Sequence, residues 1–218
     1  MSTLTTKGSA TRARIIEGAS ATIRELGVTA TTLDDIRART RTSKSQLFHY
    51  FPSGREELLL AVARFEAALV LTDQQPYLGN LATLADWDAW SSWRDTVVDR
   101  YRRQGGSCPL NTLTSQLGRT SPGARAVVTE LLAHWQSEIA AGVRQLRDAG
   151  RISSRLDPDT VAAALLAGIQ GGVLIQMATG STVHLEAALD TALAQLQASA
   201  PGVAPDGTTP RAFPTLAG

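Results

Sequence analysis

Along almost the whole chain apolar residues recur every three or four positions and almost never alternate with polar ones, so the pattern predicts helices rather than strands. Ile15, Ile16, Ala19, Ile23 and Leu26 form the first stripe, with Gly27 as its stop. Thr32 opens a short helix as its N-cap, with Asp35 three residues on in an approximate capping box; Leu33, Ile36 and Ala38 turn inward. Ser43 caps a second short helix reaching Tyr50, where Phe51-Pro52 ends it because a residue before proline is pushed out of the α region. Ser53 and Glu56 suggest a further capping box before a long helix through Leu59, Val62 and Leu69, which Pro76, Gly79 and Asn80 break. Helical spacing resumes over 87–103, and a short helix is expected over 110–117 after the break GGSCPL. Ser121-Pro122 starts the longest helix, with Val128, Leu131, Trp135, Ile139, Val143 and Leu146 inward. Asp157-Pro158 starts an Ala- and Gly-rich helix with no polar face, and Leu185, Leu189, Leu193 and Leu196 stripe a last amphipathic one. From Ser199 onward four prolines and no periodicity predict a mobile tail.

Composition adds little until it is divided along the chain. The 218 residues, 43% hydrophobic, suffice for a sizeable core in one or two domains. No apolar run approaches the ~20 residues needed to span a bilayer, and the first ten residues lack a signal-peptide core, so a cytoplasmic protein without a membrane partner is expected. The lone Cys108 can form no intrachain disulfide. The net charge of +1 conceals an asymmetry: residues 1–56 carry nine Lys and Arg against five Asp and Glu, whereas the remainder carries twelve against fifteen. The first quarter of the chain therefore suits an anionic partner.

Two short helices joined by a tight turn, the second basic and polar on its outer face, read as a helix-turn-helix. Lys44, Ser45 and Gln46 stand at the N-terminus of the second helix, where base edges are reached, while Leu47 and Phe51 return to the core. The alternative is a solvated surface helix in a bundle, for which the same polar residues are ordinary.

The order of residues from Ile15 to Val62, with ELG, TTLDDI, SK before LFHYF, and EELLLAV, resembles the DNA-binding domain of the TetR/AcrR family of transcriptional regulators. That resemblance implies a homodimer presenting one recognition helix per subunit, with Lys44, Ser45, Gln46, Phe48 and Tyr50 facing DNA. Thr32 and Ser43 would be caps near phosphates and His49 a backbone contact. Arg41 and Thr42 stand in the turn, and Arg55 is a further phosphate candidate. Three departures stand out. Arg41 occupies the usual glycine position, so a non-glycine residue has to turn left-handed or the turn is built differently. Thr42 replaces a small aliphatic residue, and Phe48 replaces tyrosine.

The remaining helices suit a regulatory domain. Trp87, Trp90 and Trp93, three apart, and Trp135 either line a cavity for a planar apolar effector or form core. Gln116, His134, Glu138, Gln170 and Leu174 are the candidates to complete such a site. The CPL segment resembles the LmrA/YxaF-type branch of the family, whose members answer to small hydrophobic molecules. Gly168, Gly171 and Gly172, with Leu185, Leu189 and Leu193, suggest the helix pair of a dimeric four-helix bundle, the alternative being an intrachain core. His134 and Glu138, one turn apart, and Ser107 and Cys108 keep an enzyme reading open. Against it stand only three histidines and no phosphate loop or nucleophile elbow, so neither catalysis, a metal nor a cofactor is expected. The expectation is thus an all-α chain: a helix-turn-helix DNA-binding domain over 1–56, a ligand-binding and dimerisation domain over 57–198, and a tail over 199–218. Its partners would be operator DNA, a second copy of itself and a small hydrophobic ligand, and its role repression. A DNA-binding or architectural protein with no effector is the alternative.

Overall fold

The computed structural model describes residues 5–105 and 122–201, which form helices and no strand. In chain order they are α1 (Thr6–Leu26), α2 (Leu33–Thr40), α3 (Lys44–Tyr50), α4 (Arg55–Thr72), α5 (Tyr77–Leu81), α6 (Trp87–Gln104), α7 (Pro122–Asp148), α8 (Pro158–Thr179) and α9 (Val183–Ala198). The short helix expected over 110–117, and most of the tail, lie outside the described residues.

Helices α1 to α3 form a head around Ile15, Ala19, Ile23, Ile36, Leu47 and Phe51, each at most 1% exposed. The α1 stripe stops at Gly27 with φ 80°, one residue after Leu26, which is half exposed rather than inward. Ala38 is likewise exposed. Helix α4 leaves the head and enters the body, where it and α5 pack on α7; α7 in turn packs on α8, and α8 on α9. Most of the buried apolar side chains form one continuous cluster from Ile15 to Leu196, so head and body share a core through α4.

Three boundaries differ from expectation for local reasons. Helix α4 has Gly54 (φ 68°) as its N-cap instead of Ser53, and the Ser53 N–H bonds Glu57 at 3.0 Å, not Glu56. A side chain at Gly54 would have both the wrong φ and a contact of 3.3 Å with the Phe48 ring. Helix α4 ends at Thr72 with Asp73 as its C-cap, and Gly79 and Asn80 lie inside α5 instead of in the break. The linker is held by the buried Gln74, whose amide donates to Val70 O at 2.7 Å and accepts from Trp93 Nε1 at 2.8 Å.

Helix α8 departs from the expectation that no apolar run approaches a bilayer-spanning length. With 22 residues and a mean hydropathy of 1.8 over its most apolar window, it is long and apolar enough to cross a bilayer by length and composition. Ala and Gly shorten its side chains so that the helices of the body approach closely. At Gly172 a Cβ would lie 2.5 Å from the Leu185 Cα, and at Gly168 one would lie 3.4 Å from Ala188 Cβ. Leu185, Leu189 and Leu193 are buried by this contact within the chain. Outside it, Arg94 grips Asp190 with two hydrogen bonds of 2.7 and 2.8 Å and Arg102 meets Glu186 at 3.1 Å, tying α6 to α9. The Glu186 carboxyl is held below its usual range by the Thr182 hydroxyl first and then by Arg102.

Candidate nucleic-acid interface and regulatory cleft

Two capping boxes fix the interface. Thr32 Oγ1 accepts from Asp35 N at 3.2 Å while the Asp35 carboxylate accepts from Thr32 N and Oγ1 at 2.9 and 2.6 Å. The Thr32 hydroxyl, followed by its backbone N–H, lowers the Asp35 pKa. Ser43 and Gln46 repeat the arrangement at α3, with hydrogen bonds of 3.1 and 3.2 Å. Between the boxes Arg41 adopts φ 49°, ψ 44°, the left-handed conformation that the missing glycine requires. Thr42 turns inward instead of toward the outer face: it is 4% exposed, and its hydroxyl lies 2.9 Å from that of Thr40, which also bonds Ile36 O at 2.7 Å. A pair of mutually satisfied hydroxyls thus fills the place of an apolar plug.

Leu47 and Phe51, both fully buried, anchor α3 so that Lys44, Ser45, Gln46, Phe48 and His49 face outward. Phe48 is 40% exposed, large for an aromatic ring with no partner on its outer side. Tyr50 is half-buried against the core, with the His49 ring edge-on at 4.9 Å. The Gln46 carbonyl is engaged in the cap, which leaves its amide N–H groups available as donors on the outer face. Arg55 is committed internally: Nη2 donates to Val28 O at 2.6 Å and pins the first turn of α4 to the α1–α2 loop. Sequence reasoning missed the supports from α1. Arg14 donates to Thr40 O, Arg39 pairs with Glu25, and the Arg12 guanidinium lies 5.1 Å from the Phe51 ring centroid. Their long sequence separations leave no local signal.

In the body the tryptophans are core. Trp90, Trp93 and Trp135 are fully buried and Trp87 is half-buried; Trp90 and Trp93 meet edge-on at 5.7 Å, and a Cβ at Gly142 would lie 3.0 Å from Trp90. A cleft of about 340 Å³ opens instead along the α4–α7 seam, walled by Ala67, Ala68, Leu71, Val127 and Leu131 with Arg64, Glu130 and His134 at its rim. Of the expected ligand residues that the structure describes, His134 alone lines it. His134 Nε2 lies 3.6 Å from Glu138 Oε1 on an exposed helix face. Gln170 is half-buried, Leu174 is 65% exposed, and Gln116, with Ser107 and Cys108, falls outside the described residues.

The expected dimer residues separate into two faces. Leu185, Leu189 and Leu193 lie inside the chain's own core, and Gly172 and Gly168 face α9 of the same chain, as noted above. Of the three glycines, Gly171 alone faces open space. Beside it run Ala164, Ala167, Leu174 and Ala178, with Ala187, Thr191, Ala194 and Ala198 on α9, all exposed. This stripe consists mostly of small residues at spacings of three and four.

The family model for bacterial regulatory proteins of the tetR family matches residues 15–62, and that for the tetracyclin repressor-like C-terminal domain matches residues 85–192. The chain belongs to the TetR family. Like its family it is a DNA-binding transcriptional regulator with an N-terminal helix-turn-helix. Among curated relatives, the transcriptional regulator AcuR of Cereibacter sphaeroides is 26% identical over 151 residues, covering 69% of this chain and 68% of that protein. An uncharacterised HTH-type transcriptional regulator of Lactococcus lactis is also 26% identical and covers 83% and 90%. Two solved structures share the fold. A TetR regulator from Chloroflexus aurantiacus has TM-score 0.75, 22% identity and covers 90% of this chain and 98% of its own. SmeT, the repressor of the multidrug efflux pump SmeDEF in Stenotrophomonas maltophilia, has TM-score 0.66, 21% identity and covers 95% and 99%. The CPL segment that carries the LmrA/YxaF-type resemblance lies outside the described residues.

Proposed function

We propose that this TetR-family regulator acts in the cytoplasm as a homodimeric repressor released from its operator by a small, mostly apolar molecule. The observation that carries the DNA-binding part is the outward face of α3, where Lys44, Ser45, Gln46, Phe48 and His49 are exposed on a helix anchored by Leu47 and Phe51. Lys44 and Ser45 contact phosphate or base edges, the Gln46 amide reads a base, and Arg41, Thr32, Ser43 and Tyr50 flank them. Dimerisation is assigned to the exposed small-residue stripe of α8 and α9, which lets a second copy pack closely.

The effector reading is supported by the α4–α7 cleft. Its walls are apolar, its rim carries three ionisable side chains, and α4 is the helix whose first turn is pinned to the head. A ligand wedged between α4 and α7 therefore acts on the orientation of α3. Linkage sets the size of the effect: a ligand favouring the released conformation by ~3 kcal/mol weakens operator binding roughly a hundredfold.

The experiment is selection of bound duplexes from a random pool. Lys44→Ala with Gln46→Ala should abolish sequence preference while circular dichroism and dimer mass stay at parental values. Enrichment of the same sequence by parent and double variant would show that α3 does not read it.

A further inference from the structure

Where the head meets the body, a polar cavity of about 230 Å³ lies between the end of α1, the second half of α4 and the last turn of α6. Arg24, Glu66, Asp73, Arg100, Arg103 and Gln104 wall it. Its charges do not cancel. Glu66, with 3% of its side chain exposed, accepts from the Ser20 hydroxyl and from Arg24 at 3.2 Å, and Asp73 pairs with Arg100. Arg103 has no ion pair or hydrogen bond among the described residues, which leaves one positive charge unanswered. Arg100 is the second sign. Its side chain is only 9% exposed, yet a single nitrogen, Nη1, is engaged, and its Nε is buried with no partner. Gln104 Oε1, buried without a partner in the same wall, is an acceptor, so a water or a protonated oxygen of the bound group would have to reach it. Such groups carry the cost of desolvation without the return of a bond, and a cavity beside them is where a missing partner belongs. The carbonyl of Tyr101 in the α6 terminus, which would repel an anion, is answered from elsewhere by Gln176 Nε2 at 2.7 Å.

We infer that this cavity binds one small oxyanion, a carboxylate or phosphate group, between Arg100 and Arg103 of α6 with Arg24 of α1 facing them. A guanidinium presents donors in a plane that matches two oxygens of such a group, and one negative charge neutralises the wall. With water occupying about 30 Å³ in the liquid, the volume suits a group of several heavy atoms rather than a large effector. The consequence rests on the regulatory reading given above. Arg24 belongs to the head and Arg100 and Arg103 to the body, so the bound anion bridges the two and biases the head independently of the α4–α7 cleft.

Calorimetry on the full chain tests the site without DNA, with sodium phosphate and sodium acetate as probes and chloride holding ionic strength constant. Saturable binding of one equivalent per chain is expected for at least one probe, and which of them binds identifies the source of the oxyanion. Arg103→Gln should weaken it tenfold or more and Arg103→Lys less, with thermal midpoints near the parental value because Arg103 is exposed. The same probe should shift operator affinity over the same concentrations, and the shift should vanish in Arg103→Gln. Absence of saturable binding for both probes, or equal affinity in parent and Arg103→Gln, overturns the site. Saturable binding by a protein that binds no DNA would leave the site standing and sink the regulatory reading instead.

Discussion

Arg41 holds a left-handed backbone at φ 49° in the turn that sets the angle between α2 and α3, where glycine would be free of strain. A non-glycine residue in that region costs about 1–2 kcal/mol, and glycine would return ~0.5–1 kcal/mol of that through its larger unfolded-state entropy. Arg41→Gly should therefore be neutral or stabilising by up to about 1 kcal/mol in urea unfolding. If the guanidinium contacts a phosphate, as proposed, the same variant should bind operator more weakly and with a shallower salt dependence, since one counterion fewer is released. Stability and affinity would then move in opposite directions. A variant that is destabilised by more than ~1 kcal/mol would remove the strain argument, and one that keeps the parental salt slope would remove Arg41 from the interface. The neighbouring Thr40–Thr42 pair has a different lesson: a polar residue beside a turn can be a plug when its hydroxyl finds a second hydroxyl 2.9 Å away.

Among the elements, the head was the most legible part of the sequence. Its caps are local: Thr32 with Asp35 is legible from spacing as a box and Ser43 as a cap, to which the structure adds the reciprocal Gln46 contact. The Gly54 cap was less so, because Ser53 and Glu56 imitate a box while the real constraint is the Phe48 ring across the turn. In the body, periodicity located α6 to α9 but could not say what each face meets. Three tryptophans three apart read equally as cavity lining or core, and only packing against Gly142 and Gln74 decides for core. Gly171 and Gly172 differ by about 100° around α8 and so face different neighbours. A Cβ at Gly172 would meet the Leu185 backbone, which cannot yield as a side-chain end can, so overpacking of about 1–3 kcal/mol should outweigh the ~1 kcal/mol that alanine gains in a helix. Gly172→Ala should thus lower the chain's own stability. Gly171→Leu, facing open space, should leave monomer helicity intact and, if α8 carries the dimer, reduce association in sedimentation at micromolar concentration. An unchanged dimer in Gly171→Leu would move the interface off this stripe.

At the scale of the whole molecule, α4 is the shared part. Its first turn is tied to the head by Arg55 and Val28, its middle to α1 by Glu66, Ser20 and Arg24, and its outer half walls the cleft against α7. One helix that belongs to both cores transmits displacement in either direction, and regulation follows if a ligand and DNA favour different placements of it. The positive excess through residue 56 and the negative excess beyond it orient the molecule, head first, on a polyanion. The most direct test is footprinting of the full chain on duplexes recovered from its own genome. A twofold dimer carrying one α3 per subunit should protect a pseudo-palindrome whose half-sites lie about one helical turn, ~34 Å, or slightly more apart, with affinity falling steeply as salt rises. Uniform protection with no preferred sequence at any salt concentration, from a protein shown to be folded and dimeric, would contradict the account.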